Sequence, residues 1–362
     1  MSSSRSNSFL TPSSLAPTPL DVALLFNEPS LAVDHPDYAS EAGVLEAVEA
    51  VEAALCRGGH RVRRLGIGGS PAELVERLLA AAPQVVFNLC EGLYGGGEGE
   101  AQVTGIVELL EIPLTGSPSA ALALARDKAR TKWLLLGAGL PTAEFCRIPG
   151  DITQGELADH EPLARMLAGG PVIVKPAAED ASLGIGPGSV ASELAGLTAE
   201  VLRVAQRYGD VLVERFIDGR EFNAGIVGWP EPRLLPLAEI EFAPHLAPRQ
   251  RLVTYDAKWA ADSEADRATA PRCPARVSEE LAQRIGAAAL GAFRATGCRD
   301  YARVDVRVDQ QERVFILEVN GNPDISPSAG LARAIAASGE SYEAFVRGLV
   351  DQAWSRRQQT GS

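Results

Sequence analysis

Residues 303–323 read RVDVRVDQQERVFILEVNGNP, and this stretch decides the fold. It predicts two strands joined by the polar turn Asp309-Gln310-Gln311-Glu312. In the first strand Val304, Val306 and Val308 alternate with Arg303, Asp305, Arg307 and Asp309. Side chains two apart share a face, so Arg303 and Asp305 point the same way. In the second strand the alternation puts Phe315, Leu317 and Val319 on one face. Val314, Ile316, Glu318 and Asn320 take the other. Glu318 thus interrupts an apolar run, where a carboxylate is costly unless a cation, a donor or a metal answers it. Pairing the strands brings Asp305, Glu318 and Asn320 together with Arg303 beside them. Two carboxylates and a carboxamide are hard oxygen ligands of the kind that suit Mg²⁺ carrying nucleotide phosphates. The competing reading is an amphipathic hairpin with one solvated charged face.

The chain around this hairpin has 362 residues, too many for one ordinary core. Its hydrophobic fraction of 46% and charged fraction of 22% are those of a soluble globular protein. A net charge of −13 disfavours a general nucleic-acid binder, although a local cationic pocket can still hold an anion. No apolar run of about 18 residues predicts a membrane span. Residues 1–19 are rich in Ser, Pro and Thr and read as a disordered tail, not a secretory signal. The five cysteines are widely spaced without metal-binding pairs, which predicts reduced thiols in a cytoplasmic protein. Four scattered histidines argue against a zinc enzyme or a catalytic triad.

Upstream, strands at 21–26, 60–65 and 84–89 alternate with helices at 41–56 and 71–82, the second capped by Ser70. This βαβαβ order predicts a parallel sheet. The Gly-rich loop 90–100 then falls where such sheets bind ligands, and Glu91, Glu98 and Glu100 suit an ammonium better than a phosphate. A mobile linker is the alternative there. Ser117-Pro118 is expected to open a helix running to Gly137, with Ser117 as its cap. Lys128 and Lys132 lie one turn apart on it, a spacing that by itself more often marks a solvated face.

The run PVIVKP ends a buried strand with Lys175, whose ammonium must meet water or an anion. The small-residue loop 179–188 follows, able to bring backbone N–H groups close to phosphate. In VLVERFIDGREF the strand breaks at Asp218-Gly219. An apolar pair beside Glu214 can hold an adenine there and Glu221 can accept ribose hydroxyls, though an ordinary hairpin explains the segment as well. A strand is expected over 234–242 with Glu239 and Glu241 on one face. Residues 244–276 read as irregular and contain YDAKW. Helices follow at 278–296 and from 327 onward, fraying after Arg356.

Taken in order, FNLCEG, DKARTK, VIVKP, EDASLG, VLVERFIDGREF, YDAKW and RVDVRV…FILEVNGNP resemble the ATP-grasp superfamily and, within it, the D-alanine–D-alanine ligase group. The resemblance spans about residues 85–356. It implies an α/β and α+β ATP-grasp fold with an N-terminal Rossmann-like (pre-ATP-grasp) parallel sheet domain. The expected division is a tail at 1–19, an N-terminal domain at 20–118, a central domain at 119–212 and a C-terminal domain at 213–356 carrying the metal site.

Carried over by position, Lys128 and Lys175 contact the ATP phosphates, and the loop bearing Glu179, Ser182 and Gly184 closes over them. Glu214, Phe216 and Ile217 frame the adenine, and Glu221 takes the ribose. Lys258 reaches the γ-phosphate side, while Arg303 stabilises the acyl-phosphate chemistry. Asp305, Glu318 and Asn320 hold Mg²⁺ or Mn²⁺. The implied reaction joins a small carboxylate to an amine, from an amino acid or small peptide, in a cytoplasmic enzyme for which the family likeness implies a homodimer and no nucleic-acid or membrane partner is expected.

Several positions depart from the group's pattern. The first strand ends in Phe26-Asn27-Glu28-Pro29-Ser30 instead of a glycine-rich motif with serine and glutamate. The substrate-loop serine falls at Ala181, the glycine after Asn-x-x-Pro at Asp324 and the carboxylate-binding serine at Ala329. Trp259 stands where those ligases carry tyrosine. The changes gather at the amino-acid positions. Two other readings remain at this point: a nucleotide-binding module without turnover, and a carboxylase-type subunit, which no biotin-carrier-like segment supports.

Overall fold

The computed structural model describes residues 19–32, 34–35, 38–92, 99–260 and 262–360. The expected tail and Glu98 lie outside them, apart from residue 19. Three sheets stack along the chain. The first contains β1 (Asp21–Asn27), β2 (Arg61–Ile67) and β3 (Val85–Asn88), parallel and ordered β2-β1-β3. Helix Pro71–Ala81 starts where Ser70 accepts a hydrogen bond from the Glu73 amide. Helix Val44–Arg57 packs its Val48, Val51 and Leu55 on one face of this sheet. The final helix, Tyr342–Thr360, brings Phe345, Leu349 and Val350 into the same core. That helix does not stop at Arg356, because Arg356 forks onto the buried Asp300 at 2.6 and 2.9 Å.

The second sheet holds β4 (Phe145–Ile148), β5 (Val172–Pro176), β6 (Val190–Ala191) and β7 (Val211–Arg215), antiparallel in the order β4-β7-β5-β6. Helix Leu194–Tyr208 covers its Val172, Val174 and Val213 side. Ile173 and Lys175 face the opposite way, into a cleft.

The third sheet contains β8 (Gly219–Val227), β9 (Arg233–Leu234), β10 (Ala238–Phe242), β11 (Thr269–Arg272), β12 (Tyr301–Asp309) and β13 (Val314–Asn320). Its order is β11-β10-β8-β12-β13, with β9 paired to β8. Period-two alternation sends Phe222, Ala224, Val304, Val306 and Val308 under helix Glu279–Thr296. The polar residues between them face the cleft.

Five expectations need correction. The strand expected over 234–242 is two strands, and the stretch expected to be irregular supplies β11. The helix expected from Ser117 is two helices, Ser119–Arg126 and Lys128–Gly137. Asp127 breaks it by leaving helical geometry and capping the Arg130 amide at 2.9 Å. Ser117 is no cap; its hydroxyl accepts from the Arg299 amide at 3.2 Å. Finally, strict alternation fails in β13. Asp305 pairs with Glu318 but Val306 pairs with Ile316, so Leu317 is an extra residue, a β-bulge. Ile316 and Val319 both enter the core, and Leu317 and Glu318 both line the cleft.

Candidate active site

A cavity of about 960 Å³ opens between the second and third sheets and reaches the carboxyl ends of β1 and β2. That is the upper end of the range for small-molecule sites, roughly 300–1,000 Å³. Its floor is the polar face of three neighbouring strands. Register sets Asn223 opposite Asp305, Glu221 opposite Arg307, Asp305 opposite Glu318 and Arg303 opposite Asn320. The convergence read from the hairpin is therefore present. The solvated-face alternative fails, because Asp305 is buried and Glu318 is mostly enclosed.

Arg303 forks onto Asp305 at 2.8 and 2.9 Å, and Asn223 donates to the same carboxylate at 2.7 Å. Glu318 lies 3.5 Å from the Lys128 ammonium. Burial opposes ionisation of Glu318, but Lys128, Lys175, Lys258 and Arg303 outweigh it and hold its carboxyl down at about 2. Asn320 turns its side-chain oxygen to the Asn322 amide at 2.9 Å, which retains one lone pair. Among the described residues no three His, Cys, Asp or Glu side chains are grouped to hold a metal ion. Two carboxylates and a carboxamide are nonetheless the sparse oxygen set typical of Mg²⁺, which keeps water and substrate phosphates as its other ligands. The residues fit that ion, with the Arg303 fork as its competitor for Asp305.

The lysines come from the second sheet and the helix beside it. The break at Asp127 makes Lys128 the first helical residue, and its amide bonds the Ala177 carbonyl at 2.9 Å. Its ammonium donates to the Glu179 carbonyl at 2.6 Å and to Asp180 at 2.9 Å. Lys128 thus sits behind the cleft wall and is not part of its lining. Lys132, whose spacing suggested a solvated face, is 1% exposed. It pairs with Glu214 at 2.8 Å and donates to Thr142 at 2.7 Å.

Lys175 pairs with the other oxygen of Glu214. Two ammoniums on one carboxylate overcome burial and hold Glu214 at about 2. Burial, together with Lys175, pushes Lys132 below the usual lysine value despite Glu214. Glu214 was expected to frame an adenine, but its carboxylate is committed to these lysines. Lys258, at the cleft surface, is lowered by the protein crowded around it and by Arg303.

Phe216, Ile217, Ile173, Leu252 and Leu317 form the apolar wall. Glu221 opens beside it. Glu179 and Ser182 line the mouth, in a loop where Ala181, Ser182 and Gly184 have positive φ. Gly184 lies outside the lining. A Cβ there would meet Pro176 at 2.8 Å and Tyr208 at 2.9 Å, and its carbonyl takes Arg203 at 2.8 Å. Trp259 reaches across and donates to the Ala181 carbonyl at 3.3 Å.

Toward the N-terminal sheet the lining turns acidic, with Glu28, Glu46, Glu91, Glu100 and Asp324. Glu91 and Glu100 are each pushed up to about 8, first by the surrounding protein and then by neighbouring carboxylates. Glu239 and Glu241, which hinted at a cationic partner, are answered within the chain by Arg220 and Arg272. The sequence reading did not single out Lys132, Asn223 or Arg307 as site residues. The two-residue spacing from Glu221 to Asn223 and from Asp305 to Arg307 was the available signal.

Residues 134–351 match the family model described as the D-ala D-ala ligase C-terminus. A D-alanine–D-alanine ligase of Granulibacter bethesdensis is 32% identical over 310 residues, 84% of this chain and 91% of that protein. The chain belongs to the D-alanine–D-alanine ligase family. As a member it is an ATP-dependent C–N ligase with the ATP-grasp fold and an N-terminal parallel sheet. An uncharacterized protein, y4sG, of Sinorhizobium fredii is 34% identical over 77% of each chain. The crystal structure of a Bacillus anthracis D-alanine–D-alanine ligase complexed with ATP superposes with a TM-score of 0.72 at 19% identity, covering 94% of this chain and all of that one. At that identity the last likeness shows the fold alone. Among the described residues of this ligase-family chain, no helix is long and apolar enough to cross a membrane.

Proposed function

We propose that the cleft binds ATP with Mg²⁺ and joins the carboxylate of an amino acid or small peptide to an amine through an acyl phosphate. The observation that carries this reading is Glu318, an ionised carboxylate set opposite Asp305 and surrounded by three lysines and Arg303. Such a site offers both metal ligands and cations where phosphate charge must be cancelled.

Asp305, Glu318 and Asn320 would hold the metal, which supplies charge neutralisation on the phosphate oxygens. Phe216, Ile217, Ile173, Leu252 and Leu317 give apolar cover to a purine, and Glu221 takes its ribose. Lys175, paired with Glu214, serves the phosphates. Lys128 fixes the 179–184 loop through the Glu179 carbonyl and Asp180, so its part is to hold the lid as well as to neutralise charge. Lys258 and Arg303 face the transferring phosphoryl group. The substrate carboxylate attacks the γ-phosphorus and ADP leaves; the amine then displaces phosphate from the acyl carbon. Attack of one anion on another is slow without charge cancellation, which these cations supply. No protein nucleophile is needed.

The amino-acid positions support a small carboxylate and amine without singling out D-alanine, since Ala181, Asp324 and Ala329 stand where the family pattern has serine, glycine and serine. Five free cysteines accord with a cytoplasmic enzyme. The test is ADP release over D- and L-amino acids, singly and in pairs, with and without Mg²⁺. Release that needs an amine and the metal, and that drops at least about a thousandfold in Glu318→Gln with the thermal midpoint held within a few degrees, is the expected result. Wild-type turnover in that variant would sink the metal assignment.

A further inference from the structure

Arg307 is a buried cation at the bottom of the cleft that the proposed chemistry leaves unassigned. Its Nε and one terminal nitrogen both donate to the same oxygen of Glu221, Oε2, at 3.0 and 2.9 Å. The other terminal nitrogen donates to the Ile217 carbonyl at 2.8 Å, and the guanidinium also takes the Arg251 carbonyl. Its carbon lies 5.2 Å from the Phe216 ring centre and 5.9 Å from that of Phe242. One side chain therefore ties down the apolar wall at 216–217, the segment leading to Leu252, and Glu221.

A carboxylate has two oxygens, each with its own acceptor sites. Because both Arg307 contacts fall on Oε2, Oε1 takes no part in the clamp, and Glu221 is part of the cleft lining. Two N–H groups converging on Oε2 pin that oxygen at the edge of the guanidinium, which a single lysine ammonium would not. We propose that Arg307 is a positioning residue that holds Glu221 so that Oε1 accepts a ribose hydroxyl, and thereby sets the preference for ribonucleotides over deoxyribonucleotides. This rests on the ATP reading of the cleft, and the effect on the ribose hydroxyl runs through Glu221.

The experiment is direct binding of ATP, 2′-deoxy-ATP and 3′-deoxy-ATP, each with Mg²⁺, to the wild-type chain and to Arg307→Met, Arg307→Lys and Glu221→Gln. Loss of a hydrogen bond to a charged acceptor predicts that the wild type favours ATP over at least one deoxy analogue by about tenfold or more. Glu221→Gln and Arg307→Met should each shrink that ratio to about twofold, with Arg307→Lys between, while affinity for the analogue stays within about threefold. If Arg307→Met does not fold, the ratios for Arg307→Lys and Glu221→Gln decide the matter. Arg307 variants that keep the wild-type ratio, or that lose all three nucleotides equally, overturn the proposal, as does a wild type without preference. A wild type that binds none of the three overturns the ligase reading itself, a result distinct from the others.

Discussion

Carboxylates crowd both ends of the cleft, but they are answered differently. Where the second and third sheets meet, the partners are cations: Glu214 has Lys132 and Lys175, Asp305 has Arg303, Glu221 has Arg307, and Asp180 and Glu318 share Lys128. At the N-terminal rim they are mostly hydroxyls and amides. Glu41 accepts from Ser30 and Leu31, Glu46 from Ser328, and Asp324 from Ser326. Glu91 and Glu100 have carboxylates among their neighbours. The first end has fixed charges suited to a polyanion whose charge does not vary. The second holds Glu91 and Glu100, pushed up to about 8, which suits a partner that itself gains or loses a proton, such as an amine.

The strongest way to break this contrast is at Glu214. Replacing it with Gln leaves two buried ammoniums facing a neutral amide, which costs about 3–5 kcal/mol of stability at neutral pH. The sign follows from its carboxyl being held at about 2, below the ordinary 4.5. Its contribution is complete above the unfolded value and fades as pH falls toward about 2. Denaturant melts of wild type and Glu214→Gln should therefore diverge above pH 5 and converge as the medium approaches pH 2. Parallel curves across that range would show that the carboxylate is not the group bridging the lysines.

A smaller effect is expected at the rim. Glu91 is among the groups that raise Glu100, so Glu91→Gln should move the Glu100 titration below about 8. Carbon-detected NMR of the glutamate carboxyls reads this directly. ATP affinity should change by less than about twofold, because Glu91 is not one of the carboxylates ion-paired with the cations of the other end. An unmoved Glu100, or a large loss of nucleotide binding, would erase the distinction between the two ends.

The smallest change is at the lid. Trp259→Phe removes the donor to the Ala181 carbonyl, a hydrogen bond worth about 0.5–1.5 kcal/mol. ATP should bind a few-fold more weakly and limited proteolysis at 179–184 should quicken. Unchanged proteolysis would show the loop to be anchored by Arg203 and its own turns.

The end where the second and third sheets meet was legible because its residues obey local periodicity. Arg303, Asp305 and Arg307 alternate with valines, and a Lys closing VIVK announces an anion. What was not legible came from contacts distant in sequence. Lys132 shows the spacing of a surface residue, and only Glu214 from β7 makes its burial tolerable. The bulge at Leu317 is a property of strand register; from composition alone Phe315, Leu317 and Val319 look like one face. Asp127 could be a helical residue or a cap, and the Ala177 carbonyl that meets the next amide lies 50 positions on. On β10, Glu239 and Glu241 looked like neighbours of a cationic ligand because Arg220 and Arg272 stand far from them along the chain.

The last helix lies against the first sheet, with Phe345 and Leu349 in the core that β1 and β3 begin. Helix Val44–Arg57 covers part of that face early, but a ribosome releases β1 and β3 more than 250 residues before Tyr342–Thr360 completes the cover. Until Phe345 and Leu349 emerge, the part of that apolar face they cover must be shielded by a chaperone or left exposed. Nascent chains stalled before Tyr342 should bind hydrophobic dyes and trigger factors that the finished protein ignores.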